Sequence, residues 1–142
     1  MKIRTATPQD SATITSLLSA FHDAEQDEAA IHTQLGSDLI GRTQQFFVVV
    51  DDTDTPVGTT VVNLVYKFPD IEARIGEVFV DETQRGKGLS TLLMDAAEAW
   101  AWEHEAKYIE LSSRPSRIAA NALYQKRHYD LRDTNVYCKK RG

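Results

Sequence analysis

With a single cysteine in 142 residues, Cys138 has no partner within the chain, which excludes an internal disulfide and a cysteine-based metal site. That usage fits a reducing interior, and a cytoplasmic location is the expectation; no metal is called for. Positive charge is also in short supply. The 16 Lys and Arg against 21 Asp and Glu leave a net charge of −5, which argues against non-specific binding to nucleic acid or an anionic membrane. No window approaches the ~18 uninterrupted apolar residues of a membrane span. The opening Met1-Lys2-Ile3-Arg4-Thr5-Ala6-Thr7-Pro8 lacks the apolar run of a signal peptide. Internal repeats and low-complexity tracts are missing too. What is present is ordinary: 42% hydrophobic and 26% charged residues are close to a globular average. The length suits one domain over residues 1–142, enough to bury roughly two-thirds of its unfolded surface. The closing Lys139-Lys140-Arg141-Gly142 reads as a solvated basic tail.

Periodicity supplies the order of elements. Lys2 to Thr7 alternates and stops at Pro8, which predicts a strand, with Thr7 or Asp10 capping the helix that follows. Ile14, Leu17, Leu18 and Phe21 recur at helical spacing, and Ile31, Leu35 and Leu39 mark a weaker helix from Asp27 to Leu39. Phe46 to Val50 is a buried strand, Asp51 to Pro56 a turn, and Val57 to Val65 the returning strand of a hairpin. Ala73 to Val80 is a further strand. Leu89, Leu92, Leu93, Ala96, Ala97 and Trp100 then share one face of a helix from Gly88 to Glu105. Tyr108 to Ser112 is a short strand. Ser116 to Lys126 is a helix capped by Ser116, with Ile118, Ala119, Ala122 and Leu123 inward, and Asn135 to Lys139 is a last strand. The order βααβββαβαβ predicts an α/β (α+β) architecture: antiparallel strands first, then a parallel, right-handed strand–helix–strand crossover.

The informative stretch runs from Val78 through Arg85-Gly86-Lys87-Gly88-Leu89-Ser90. A buried strand ends, and two glycines open a long helix. Glycine lets the backbone take positive φ and approach a ligand closely. The first amides of a helix lack internal partners and carry the positive end of its dipole. With Arg85 and Lys87 they suit a pyrophosphate. A P-loop is excluded because no G-x-x-x-x-G-K-[ST] string occurs. A dinucleotide fingerprint is a poor fit, because Thr91 stands where the third glycine belongs and antiparallel strands precede the loop. The segment resembles, in place and spacing, the acetyl-CoA loop of the GNAT acetyltransferases (R/Q-x-x-G-x-G/A), with Ser90 where the family prefers Gly or Ala. A second segment agrees: Asn121-Ala122-Leu123-Tyr124-Gln125-Lys126 resembles the family's N-x-x-Y stretch, with His128-Tyr129 in place of the usual Gly-Phe.

The resemblance covers nearly the whole chain. It implies the GNAT fold, a central mixed, mostly antiparallel sheet with splayed middle strands flanked by helices, and an acetyl-CoA-dependent N-acetyltransferase (an acyltransferase). It implies that Val78, Phe79 and Val80 pair through their backbone with the pantetheine arm. Arg85, Gly86, Lys87, Gly88, Leu89 and Ser90 would hold the pyrophosphate, and Asn121 would hydrogen-bond the cofactor arm. It places Tyr124 as the acid that protonates the leaving thiolate, and the Val80 N–H on the thioester oxygen.

An amine of ordinary pKa about 10.4 is mostly protonated at neutral pH, so a base is useful. Glu77, one residue before Val78, is the first candidate, or else an outward residue of a half-exposed strand; Glu110 on the neighbouring strand is its rival. The acceptor is read as a primary amine of a small molecule. A protein N-terminus or lysine, or a non-catalytic acyl-CoA-binding domain, are the alternatives. The acids Asp23, Glu25, Asp27 and Glu28 form either an attractive rim for a cationic amine or a solvated loop. Tyr66, Phe68, Phe46 and Phe47 line the acceptor groove or pack in the core. Trp100 belongs to the core, whereas Trp102 is either exposed or a contact in a homodimer.

Overall fold

The computed structural model describes residues 1–142, which divide into two compact units, Met1–Ser112 and Ser113–Gly142. The first unit contains β1 (Lys2–Thr5), α1 (Ser11–His22), α2 (Glu28–Leu35), β2 (Gln44–Val50), β3 (Pro56–Tyr66), β4 (Ile71–Val80), α3 (Leu89–Glu103) and β5 (Tyr108–Glu110). The second contains α4 (Ile118–Lys126). The strands form one sheet in the order β1-β2-β3-β4-β5, antiparallel except for the parallel β4–β5 pair. This is the mixed, mostly antiparallel α/β sheet that the element order predicts.

Strand β2 shows why its sequence is a continuous apolar run. Val48 and Val50 join Ile14, Leu18 and Leu35 of α1 and α2 in one cluster. Val49 joins Leu89 and Leu93 of α3, with Val57 and Val80, in another. Successive side chains of a strand point to opposite faces, so helices cover both sides of the sheet. Burying each such Leu, Ile or Val contributes about 1.5–3 kcal/mol. The start of α1 is tied to β1 by Asp10, which accepts from Arg4 at 2.8 and 2.9 Å and from the Thr7 N–H at 2.8 Å.

Gly58 on β3 is required by packing. A Cβ there would lie 2.7 Å from Val49 Cγ1, 3.1 Å from the Phe79 carbonyl oxygen and 3.3 Å from Leu93 Cδ1. Gly58→Ala is therefore expected to destabilise the protein by about 1–3 kcal/mol, the cost of overpacking a filled core. A lowered denaturant midpoint is the readout, and an unchanged midpoint would show that β3 can move aside.

Several expectations are corrected. Asn135–Lys139 forms no strand, and Val136 and Tyr137 are exposed. With both side chains exposed, the segment buries no apolar face, and strand propensity without packing does not make a strand. On α3, Leu92 points outward, while Met94 and Ala101 are buried beside Leu93, Ala97 and Trp100. The weak second helix ends at Leu35, leaving Leu39 exposed. Helix α4 starts at Ile118, two residues late, and Ser116 does not cap it. Its Ile118, Ala119 and Ala122 face solvent, and the buried residue is Tyr124.

Candidate active site

Strand β4 breaks its pattern at Glu77. Gly76 is in register with Val61 and Phe79 with Thr59, so β4 carries one more residue than β3 over this span. That bulge puts Glu77 at φ 53°, a left-handed conformation uncommon for a residue with a side chain. The buried threonines of β3 are explained by it. Thr59 Oγ1 donates to the Glu77 carbonyl at 2.7 Å and Thr60 Oγ1 to the Gly76 carbonyl at 3.3 Å, satisfying groups that the broken ladder would otherwise leave unpaired. Strain of this kind costs on the order of 1–3 kcal/mol and tends to gather at functional sites.

The bulge presents the Glu77 carboxylate to the end of α1, where His22 Nε2 lies 2.6 Å from Glu77 Oε2. The last turn of α1 is held firmly. The Asp23 N–H donates to the Ala20 carbonyl, the Ala24 N–H to the Ser19 carbonyl, and the Phe21 ring packs on Phe79 at 5.3 Å between centroids. Nothing in the sequence reading marked His22 as a partner, because a contact across fifty-five positions has no local signature.

Beyond Arg74 the two middle strands part. Strand β5 pairs with β4 only through Glu72↔Tyr108, Ala73↔Ile109 and Arg74↔Glu110, while β4 runs on to Val80. Glu72 anchors the paired end. It is wholly buried, with Arg74 Nε at 2.9 Å and Lys67 Nζ at 3.2 Å. Burial pushes its carboxyl up, but hydrogen bonding to Glu110, Lys67 and Arg74 outweighs that and holds it at about 2. A folded value below the ordinary 4.5 means that its stabilisation is complete above pH 4.5 and is lost as pH falls towards 2. The denaturant midpoint is expected to drop across that window, and less steeply in Glu72→Gln. An equally steep drop in the variant would place the acid sensitivity elsewhere. Glu110, the rival base, belongs to this network, with Arg74 Nη2 3.5 Å from its Oε2.

After Val80 the chain turns through Asp81–Gln84 and enters α3 across two glycines. Gly86 (φ 81°) and Gly88 (φ 74°) are both left-handed, and a Cβ on either would meet no atom within 4 Å. Gly88 is the N-cap of α3, whose first internal bond runs from the Leu92 N–H to the Gly88 carbonyl. The amides of Leu89, Ser90 and Thr91 precede that bond and point out of the helix. The loop is exposed and its cations are tethered: Arg85 Nε donates to the Val80 carbonyl at 3.1 Å with its guanidinium over Phe79, and Lys87 Nζ donates to Gln84 at 2.7 Å. Open space above left-handed glycines, bare helix amides and two cations fit a pyrophosphate.

In the second unit, Asn121 Nδ2 donates to the Arg114 and Arg117 carbonyls, both at 2.9 Å, which ties the loop before α4 to its first turn and leaves the side-chain oxygen as an acceptor. Burial pushes the Tyr124 phenol up, opposed by the nearby Arg117 guanidinium, which donates to the phenol oxygen. Its ring meets Tyr129 edge-on at 6.1 Å. Arg117 is a partner that the sequence reading passed over.

Among the remaining candidates, Asp27 caps α2 by accepting from the Ala30 N–H at 3.2 Å, while Asp23, Glu25 and Glu28 are exposed. Tyr66 and Phe68 are exposed; Phe46 is half-buried against the α1–α2 cluster. Trp100 is buried and Trp102 exposed. No helix is long and apolar enough to cross a membrane.

Comparison with known proteins gives a shared fold from solved structures and a family from a sequence model. The structure resembles an acetyltransferase from Trypanosoma brucei with a TM-score of 0.82 at 17% identity, covering 98% of this chain and 99% of that one. It resembles AAC(6')-Iy, in complex with the bisubstrate analogue CoA-S-monomethyl-acetylneamine, with a TM-score of 0.83 at 14% identity, covering 99% and 98%. The ribosomal-protein-alanine N-acetyltransferase of Brucella melitensis biovar Abortus 2308 gives a TM-score of 0.78 at 18% identity, covering 99% of each chain. No curated protein matches. At such identities these structures show a shared fold alone, but residues 11–129 also match the sequence model of the acetyltransferase (GNAT) family. With most of its length inside that match, the chain belongs to the GNAT acetyltransferase family.

Proposed function

We infer that the protein is an N-acetyltransferase that moves the acetyl group of acetyl-CoA to a primary amine of a small molecule by direct attack. The observation that carries this reading is the course of β4. It leaves β5 after Arg74, bulges at Glu77 and runs into a loop whose two glycines are both left-handed. An extended pantetheine arm lies along the backbone of Val78, Phe79 and Val80, and the loop beyond offers amides to the pyrophosphate. Gly86, Lys87, Gly88, Leu89 and Ser90 with Arg85 hold the phosphates, and Asn121 offers its side-chain oxygen to an amide of the arm.

The acyl carbon is already activated as a thioester. The chain's tasks are to hold it, to take a proton from the incoming amine and to give one to the departing sulfur. Glu77 supplies the negative charge that draws the amine proton, and Glu110, engaged with Arg74, is set aside. The Val80 N–H steadies the developing oxyanion, and Tyr124 protonates the thiolate. The exposed Asp23, Glu25 and Glu28 favour a cationic acceptor. AAC(6')-Iy, whose structure holds a CoA-linked acetylneamine, supports a small-molecule amine; the Brucella neighbour's name makes a protein amine the second reading.

Release of CoA thiol from acetyl-CoA, followed with a panel of polyamines, aminoglycosides, amino-acid amides and N-terminal peptides, tests the reading. Turnover on the small amines is expected. Turnover on peptides alone would move the acceptor to protein, and acetyl-CoA binding without turnover on any amine would leave a binding domain.

A further inference from the structure

We propose that His22 and Glu77 act as one proton-accepting pair, with His22 Nδ1 as the atom that takes the proton from the acceptor amine and Glu77 as the group that orients it. This rests on the acetyl-transfer reading above and names a residue that neither sequence motif contains. The carboxylate of Glu77 stands 2.6 Å from Nε2, so the proton of a neutral imidazole resides on Nε2 and the lone pair on Nδ1. Nδ1 makes no hydrogen bond within the chain, and the side chain is 41% exposed, so that lone pair is open to a ligand. The ring itself is fixed: the helix end beneath it is closed by the Asp23 and Ala24 amides, and Phe21 beside it packs on Phe79 of β4.

Chemistry favours the imidazole as acceptor. Taking a proton from an ammonium of ordinary pKa near 10.4 is uphill by about six units for an ordinary glutamate and by about four for an ordinary histidine. In the step, the R–NH3⁺ nitrogen gives a proton to Nδ1, and the imidazolium is held against the Glu77 carboxylate. The neutral amine then attacks the thioester carbon, the N–C bond forms and the C–S bond breaks. The second amine proton balances the departing thiolate, which leaves as the thiol, and the imidazolium returns its proton to water. The charged group in contact with His22 is Glu77 from β4. Asp23 and Glu25 follow His22 in the exposed turn that ends α1, and Arg85 lies over the Phe79 ring on which Phe21 packs.

The test compares parent, His22→Gln, His22→Ala and Glu77→Gln on an amine that the parent acetylates, between pH 6 and 9.5, with acetyl-CoA affinity and melting temperature measured beside it. Nitrogen-15 shifts of the parent ring are expected to show Nε2 protonated and Nδ1 bare. His22→Gln keeps a donor for Glu77 but cannot take a proton. It is expected to lose about 10²-fold or more in kcat/KM at pH 7, the scale of general-base catalysis, with acetyl-CoA affinity unchanged. The loss should shrink towards pH 9.5, where the amine deprotonates unaided, and added imidazole should restore part of the rate to His22→Ala. Activity of His22→Gln within about threefold of the parent at pH 7, far short of that scale, would overturn the pair. So would a loss that is uniform in pH, which a merely structural histidine gives. Absence of turnover in the parent itself would instead overturn the acetyl-transfer reading, and the pair with it.

Discussion

Gly88→Val is expected to lower acetyl-CoA affinity by about 10²-fold or more while the protein remains folded. The free protein has room for the side chain, since a Cβ at Gly88 meets nothing within 4 Å. The objection is conformational: at φ 74° a β-branched residue is strained by about 1–3 kcal/mol. A domain of this size, with an ordinary stability of about 5–15 kcal/mol, survives that by reshaping an exposed loop. The ligand site does not survive. The loop's amides would no longer converge, each hydrogen bond to a charged phosphate is worth about 1.5–3 kcal/mol, and the valine methyl groups would stand where the pyrophosphate approaches. Losing one or two such bonds is the stated factor in affinity. Calorimetric titration of acetyl-CoA into the variant, beside its thermal unfolding, is the measurement. Unchanged affinity in a folded Gly88→Val protein would take the loop out of cosubstrate binding.

Much of the frame that carries this loop was legible in the sequence, because it is written in local patterns. The run Phe46–Val50 identified a strand covered on both faces, and Arg85-Gly86-Lys87-Gly88 identified a turn into a helix. Both glycines are left-handed in the structure, as a loop of that kind demands. The element order as far as α4, the antiparallel start and the parallel β4–β5 pair followed from periodicity in the same way.

What stayed hidden depends on contacts between distant segments. A bulge is a mismatch between two strands, and nothing in Gly76-Glu77-Val78 alone announces it. Thr59 and Thr60, buried polar residues in an apolar strand, were its faint signal. The His22–Glu77 contact and the Arg117–Tyr124 contact were hidden for the same reason. On α4, helical spacing chose the aliphatic face containing Ile118 and Ala122, whereas the structure buries Tyr124. An aromatic ring removes more apolar surface from water than two alanines, and the helix turns accordingly. The strand expected at Asn135–Lys139 failed because β-propensity reflects packing, and these residues have none.

The same α4 carries the prediction with the largest kinetic effect. Tyr124→Phe keeps the ring and its edge-on contact with Tyr129 and deletes only the hydroxyl. The buried phenol, pushed above its ordinary value, keeps its proton through the working pH range. A thiolate whose thiol has an ordinary pKa near 8.5 is a weaker base than a phenolate whose phenol is near 10, so donation to the thiolate is uphill. If Tyr124 is the donor, the Arg117 guanidinium, whose charge and hydrogen bonding oppose the rise in the phenol's pKa, would stabilise the forming phenolate and reduce that cost. An interaction that matures only as the C–S bond breaks belongs to the transition state, so its loss should fall on kcat with acetyl-CoA affinity kept. A fall of about 10²–10⁴-fold in kcat is expected, the range of general-acid catalysis. A purely structural Tyr124 gives the opposite pattern, a modest loss of stability and nearly normal kcat in the folded fraction. If kcat stays within about threefold of the parent, well short of that range, another donor must protonate the thiolate, and the site's proton chemistry reduces to Glu77 and the histidine beside it.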